Sequence, residues 1–312
     1  MERANYILKR FAQIIPALFI ITVISFSLMH LIPGNPARLI LGEKAPLSAV
    51  EALTEKLGLN EPLTTQYFIF LRGLVTLDFG TSLVFQRPVL ELIKLRLPIT
   101  ISLTLSATLF SILFSFPLGY FAGIQKDKMG DQMVRTLSLT AISMPSFWVG
   151  LLLMLLFGVR LKWLPVGGWG ETVIEHIKGL ILPSFTLSLM NTALLMRNIR
   201  NSVVDITSQD YVDFAKSKGI SSGAVRNRHI LRNSLVSTVT LLAMRMAYML
   251  GGSVIIESVF SLPGIGKLMV DSIFNRDYQV VQMLMFFFAF MVMIVNMLTD
   301  ILYSLLDPRV KL

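Results

Sequence analysis

The chain has no cysteine and only three histidines in 312 residues. Without cysteine there is no disulfide, no thiolate metal site and no cysteine nucleophile; the compartment stays open on this ground. His30, His176 and His229 are far apart in sequence, and no His pair or His/carboxylate cluster has metal-ligand spacing. No Ser/His/Asp set can be argued. A phosphate-cradling Gly-x-x-x-x-Gly-Lys-Ser/Thr is missing as well. The nearest stretch, Pro263-Gly-Ile-Gly-Lys267, lacks the earlier glycine and the following hydroxyl residue. Charge is scarce too. Charged residues make up 15% of the chain, against about 25% in a typical soluble domain. These gaps argue against an enzyme, against ATP bound by this chain and against a water-covered surface. No internal repeat or low-complexity tract stands out.

What is present is apolar. Hydrophobic residues are 54% of the chain and mean hydropathy is +0.68. Six runs approach or exceed the roughly 20 residues a spanning helix requires. They lie near 11–32, 99–124, 134–159, 181–199, 234–256 and 280–303, with the fourth the shortest. Pro16, Pro117, Pro145 and Pro183 fall in or beside them and are expected to kink their helices. The basic start followed by residues 11–32 has the outline of a signal peptide. The run is longer than the usual 7–15-residue core of such a peptide, so it is read as a retained first span.

Net charge is +9 and the isoelectric point is near 9.9. The basic residues sit beside apolar runs, which favours a membrane surface over nucleic acid as the partner. With the N-terminus inside, inner segments hold fifteen lysines and arginines, from Arg3, Lys9 and Arg10 to Arg309 and Lys311. The two short outer loops hold five: Arg160, Lys162, Lys178, Lys267 and Arg276. That asymmetry predicts both termini in the cytoplasm. The expected organisation is a first span (1–32), an outer subdomain (33–98) and a transmembrane core (99–312) with a cytoplasmic loop at 200–233. In the outer subdomain, Leu47–Leu57 and Gln66–Leu77 have helical patterning, and Ser48 with Glu51 has the spacing of a capping box.

The cytoplasmic loop is the most informative segment. Ser208 or Asp210 can cap a helix running to Lys218, with Tyr211, Phe214, Ala215 and Lys218 on one face. Gly219 stands where a glycine ends such a helix. A second helix is expected from Ser221 or Ser222, carrying Arg226, Arg228, His229 and Arg232. A knob of this kind suits a groove on another protein. An ordinary basic inner loop is the competing reading.

Ala215, Gly219 and the stretch His229-Ile-Leu-Arg232 resemble the EAA loop of ABC importer permeases, which has alanine, three residues, glycine, nine residues and then Ile-x-Leu-Pro. Here Phe214 departs from an alanine, His229 takes the isoleucine slot and Arg232 the proline slot. The His-x-Leu-Arg-Asn variant resembles the peptide and nickel branch. Further resemblance runs in order along nearly the whole chain. It includes Leu8-Lys-Arg-Phe11, Pro33-Gly-Asn-Pro36, Leu57-Gly-Leu-Asn-Glu-Pro62, Leu77-Asp-Phe-Gly-Thr-Ser82, Ser143-Met-Pro-Ser-Phe-Trp148, Gly251–Glu257, Leu262-Pro-Gly-Ile-Gly266, Asn275-Arg-Asp-Tyr278 and Leu306-Asp-Pro-Arg309.

The resemblance implies an all-α polytopic protein of the type I ABC importer kind, the first permease of a pair, in a bacterial or archaeal inner membrane. It implies three kinds of partner besides lipid: a second permease subunit, two ATP-binding subunits that hold ATP and Mg, and an extracytoplasmic solute-binding protein. Cargo would be short peptides, glutathione-like peptides or nickel and other metal chelates. It also implies a tight turn at Pro263-Gly264 and Gly266.

For the pathway, Arg245 is the one basic residue deep in an expected span, where charge marks function or a paired interior site. It is expected either to attract an anionic cargo group or to pair with a partner subunit. Met144, Phe147 and Trp148 are gate candidates, against the plainer reading that they meet lipid or neighbouring helices. Glu257 and Asp300 are expected at the interfaces, and Gly251-Gly252 allows close helix packing. A stand-alone secondary transporter is the main alternative; it would call for intramembrane ion ligands and inverted repeats, neither of which is clear here.

Overall fold

The computed structural model describes residues 14–27, 36–42, 44–56, 58–82 and 84–306, and among them helices account for nearly all regular structure. They are α1 (Ile14–Ser27), α2 (Pro36–Leu41), α3 (Leu47–Lys56), α4 (Leu63–Thr76), α5 (Val89–Ile124), α6 (Met129–Ser143), α7 (Ser146–Leu153), α8 (Val173–Thr207), α9 (Asp210–Ser217), α10 (Ser222–Ala224), α11 (Arg232–Val259), α12 (Ile265–Phe274) and α13 (Tyr278–Leu306). Wider i→i−5 hydrogen bonding extends α7 over Met154–Arg160 and joins α10 to α11 over Val225–Leu231. Such π segments are uncommon and collect at functional places.

Four of the six expected spans are met by helices long and apolar enough to cross a bilayer: α5, α8, α11 and α13. α5 and α8 have 36 and 35 residues. At 1.5 Å per residue each is over about 50 Å long, well beyond a hydrocarbon core of about 30 Å. The run at 134–159 is not one straight span. α6 and α7 meet at 102°, across Met144 and Pro145. Proline lacks the donor that would continue α6, and the residue before it is driven out of the helical region. Met144 accordingly has φ −93° and ψ 133°. Pro16, Pro117 and Pro183 lie inside continuous helices. The expected first span is described only as α1; His30, Pro33, Arg309 and Lys311 lie outside the described residues, as does the side chain of Asp300.

The chain divides into two compact units, Met1–Ile99 with Pro263–Met293, and Thr100–Leu262 with Ile294–Leu312. The first break falls between Ile99 and Thr100, inside α5. Residues 263–293 group with the N-terminal unit, a long-range association that no local pattern announces.

In the first unit, Phe70 of α4, Phe79, Val89, Leu92 and Ile93 form a core with Ile265 and Leu268 of α12 and Val280, Met283 and Leu284 of α13. Tyr67 connects α4 to α1 through a 2.8 Å hydrogen bond with Thr22 and an edge-on contact with Phe26. The turn before α5 is fastened to the start of α13. The Ser82 hydroxyl donates to the Asp277 carboxylate, and the Gln279 amide donates to the Phe79 carbonyl at 3.1 Å. Gly80, with φ +70°, also lies where any side chain would strike Gln279. Two local expectations shift. α3 begins at Leu47, with Pro46 accepting its first backbone bonds, so Ser48 is inside the helix and not its cap. Gly264 precedes α12 as its cap, while Gly266 is a buried helical residue and not part of the turn.

The second unit is organised around α8. α6, α7 and α11 all pack on it. Its start is a capping box: the Thr172 hydroxyl accepts from the Glu175 amide, and the Glu175 carboxylate accepts from the Thr172 amide at 3.0 Å. α5 approaches through Gly119 and Gly123, a small-xxx-small spacing. A β-carbon on Gly119 would stand 2.8 Å from the Met196 carbonyl, and one on Gly123 would stand 2.6 Å from Val203. Gly150 of α7 similarly nests against Phe260 and Thr186. Of the Gly251-Gly252 pair, only Gly252 makes a close approach, to Leu187; Gly251 faces open space.

Candidate coupling site

α9 is short and amphipathic, and its first turn carries Asp210 and Asp213, which favour the positive end of the helix dipole. Its cap is Gln209, with no side-chain cap bond, and not Ser208 or Asp210. The Ser208 hydroxyl instead donates to the Asp205 carbonyl at 2.9 Å, within the last turn of α8.

The inner side of α9 is Val212 and Ala215. Both are buried with Ile199 and Val203 of α8 and with Val225 and Ile230 of the π segment. Phe116, Tyr120 and Ile206 pack around them. Ala215 therefore does not share the exposed face with Tyr211 and Phe214. A larger residue there would push α9 off its bed.

The turn after α9 is a Schellman motif. The Gly219 amide donates to the Lys216 carbonyl at 2.9 Å, and the Ile220 amide donates to the Ala215 carbonyl at 3.3 Å. Gly219 has φ +78°, and a β-carbon there would meet nothing within 4 Å. Backbone conformation, and not space, requires glycine here. The next helix starts at once: the Ser221 hydroxyl accepts from the Ala224 amide.

On the outer side, Tyr211 is 43% and Phe214 61% exposed. The Lys218 ammonium lies 4.6 Å from the centre of the Phe214 ring. Tyr211 is tied at its far end. Its phenolic oxygen accepts from the Asn233 amide at 3.1 Å, and the same amide group donates to the His229 carbonyl at 2.7 Å. The His229 ring is 6.3 Å from that of Tyr211. Five candidates, Tyr211, Phe214, Ala215, Gly219 and His229, thus lie in one knob. Arg232 is exposed at the start of α11. Asn233 was not singled out from the sequence, although its adjacency to the His-x-Leu-Arg stretch marks it.

Below the knob, α8 is locked to α6. Asp131 is fully buried and accepts from Arg200 through Nε at 3.0 Å and Nη2 at 2.6 Å. It also accepts from the Asp127 amide at 2.9 Å. The bidentate fork is the strong, directional form of an ion pair. Nothing local in the sequence joins residues 131 and 200.

The pathway candidates lie elsewhere in the second unit. Met144 and Phe147 flank the α6/α7 break and are 40% and 45% exposed. Met144 lines an open cavity with Pro145, Val149, Leu189 and Met190. Arg245 is in mid-α11, half-buried, with its guanidinium 5.2 Å from the centre of the Tyr248 ring. Among the described residues no acidic group pairs with it within 4 Å. Its neighbours Met244 and Tyr248 are 54% and 70% exposed, so this stretch of α11 is uncovered by the chain itself. Glu257 is buried at the end of α11, where its carboxylate accepts from the Thr100 hydroxyl at 2.6 Å.

Comparison with known proteins agrees with this architecture. A family model described as the binding-protein-dependent transport system inner membrane component matches residues 115–312, and one for the N-terminal part of such components matches residues 3–104. A Brucella abortus protein named as a peptide transport system permease is 40% identical over 98% of both chains. The glutathione transport system permease protein of Salmonella typhimurium is 38% identical over 98% of this chain and 99% of its own. A crystal structure of an amino acid ABC transporter with histidines superposes with a TM-score of 0.53 at 16% identity, covering 69% of this chain and 94% of that one. That likeness concerns the fold alone. The chain therefore belongs to the family of binding-protein-dependent inner membrane transport components: it is a multi-pass permease subunit of a peptide-class ABC importer, a class whose ATPase site lies in separate subunits.

Proposed function

We propose that this chain is the first permease of a heterodimeric pair that carries short peptides into the cytoplasm, with both of its termini on the cytoplasmic side. ATP and Mg are bound by two partner ATPases, and an extracytoplasmic binding protein delivers cargo. The observation that supports this reading best is the α9 knob. It offers Phe214 outward from a helix whose inner side is buried and whose end is fixed by the Gly219 turn. A rigid projection with an exposed aromatic can transmit displacement from a partner groove to α8. The names of the Brucella and Salmonella relatives favour peptides, including glutathione, over nickel or other metal chelates as cargo. The binding protein sets the finer choice. Arg245, half-buried beside the exposed Tyr248, is the residue for a cargo carboxylate or for a contact with the second permease.

The test is purification in mild detergent with the ATPase subunits, together with uptake of labelled dipeptide, glutathione and nickel chelate. Phe214→Ala is expected to weaken ATPase retention and to reduce uptake about tenfold, as loss of a central aromatic anchor does. Full uptake with normal retention would reject the knob as the coupling element. Transport by the chain without any ATPase would reject the importer reading.

A further inference from the structure

The inner end of the α6/α8 pair carries a groove that the coupling role does not use. Its floor is apolar: Val134, Leu139 and Ile142 on α6 and Met196 on α8. Its volume is about 180 Å³. Three arginines line it, Arg135, Arg197 and Arg200, and no acidic residue does. Their situations differ. Arg200 is consumed by the buried Asp131, which takes two of its donors, while a third reaches the Asn201 side chain at 3.3 Å. Arg135 only grazes the same carboxylate, at 3.9 Å, and is more than half exposed. Arg197 is exposed, and among the described residues it has no carboxylate within 4 Å. Asp131 thus meets Arg200 and Arg135, the exposed Asp127 carboxylate lies 4.0 Å from Arg200, and Arg197 meets neither, so positive charge is left over at the rim of an apolar trough between two helices.

A free phosphate would satisfy the charge but leave the trough empty. A zwitterionic lipid would fill the trough but bring its own cation to the arginines. We propose that the groove holds an anionic diacyl phospholipid, its phosphate between Arg135 and Arg197 and an acyl chain along Leu139 and Ile142. Basic pockets between membrane helices are a known way to select such headgroups. Arg200 does not contact the lipid in this arrangement; it anchors the wall through Asp131. Because α8 runs from this groove into α9, the bound lipid braces the helix that supports the knob.

The experiment is native mass spectrometry of the intact permease–ATPase complex, delipidated and then titrated with phosphatidylglycerol, cardiolipin or phosphatidylcholine. The wild-type complex is expected to retain an anionic lipid through gentle activation. The Arg135→Gln/Arg197→Gln variant is expected to lose that adduct by about tenfold or more, given the strength of basic side chains at a membrane surface. Leu139→Trp, which fills the trough and leaves every arginine, is expected to lose it too, so a folding defect in the double variant does not decide the matter. Equal retention in wild type and both variants would overturn the proposal. Equal retention of phosphatidylcholine would as well. Displacement of the adduct by millimolar inorganic phosphate alone would make this a phosphate site and overturn the lipid. Loss of ATPase subunits with lipid retained would mark the groove as a protein contact and also overturn it.

Discussion

The membrane helices α8 and α13 contrast in a way that reverses the rule of soluble proteins. The most hydropathic stretch of α13 is only 17% buried within the chain, whereas that of α8 is 67% buried. Yet α13 is the more apolar of the two. α8 buries Ser184, Thr186, Ser188, Asn191 and Thr192 along with its leucines. In a bilayer the solvent is itself apolar, so apolarity cannot drive one helix onto another; small residues, hydrogen bonds and ion pairs decide the contacts. Interior helices are therefore recognised by small and polar residues, and the outermost ones by unbroken apolar surface.

This contrast makes graded predictions. The largest effect is expected at Asp131→Ala, which leaves the mostly buried Arg200 without its carboxylate. Breaking such a pair costs about 3–5 kcal/mol. Denaturant unfolding of the detergent-solubilised chain should show it, and Asp131→Ala with Arg200→Met should recover much of the loss. Next comes Gly123→Leu, which drives a side chain into Val203 and the Arg200 carbonyl. Overpacking of this kind costs about 1–3 kcal/mol, and thermal unfolding in detergent should register it. Gly219→Ala should be milder, because only the positive φ is strained; about 1–2 kcal/mol is expected. Faster hydrogen exchange of the Ile220 amide, together with slower uptake, would confirm that the strain reaches the knob. The smallest effect belongs to α13. Leu298 is 51% exposed, and Leu298→Ala should change the stability of the isolated chain by less than about 0.5 kcal/mol. A loss as large as that of Gly123→Leu would erase the contrast. A loss seen only in the assembled complex would sharpen it, by placing the second permease on α13.

The same physics explains what could be read beforehand. Long apolar runs announced α5, α8, α11 and α13, because length and composition alone suffice for a span. The glycine at 219 announced the end of α9, because a left-handed turn has few other residues to choose from. Pro145 announced a kink but not a 102° break, because the apolar run continues straight through Met144 and Pro145, and Pro117 and Pro183 lie inside continuous helices. Ala215 was assigned to the wrong side of α9, because a helix of eight residues gives two plausible faces and only Val203, Val225 and Ile230 decide between them. The Asp131–Arg200 lock and the Ser82–Asp277 tie join residues 69 and 195 positions apart, beyond any local pattern. Arg245 was conspicuous from its isolation, and among the described residues no acidic group pairs with it.

The bend between α6 and α7 has a mechanical meaning. α6 is an arm of 15 residues, about 22 Å long, with the bend at Met144 and Pro145 at one end. Its far end carries Asp131, gripped by Arg200. A swing of about 5° at that bend would move that far end by about 2 Å, enough to stretch a 2.6 Å hydrogen bond past its useful range. The elbow and the ion pair thus stand at opposite ends of one arm: any turn of α6 about Met144 and Pro145 would have to break the Asp131–Arg200 fork that ties it to α8, the helix that leads into α9.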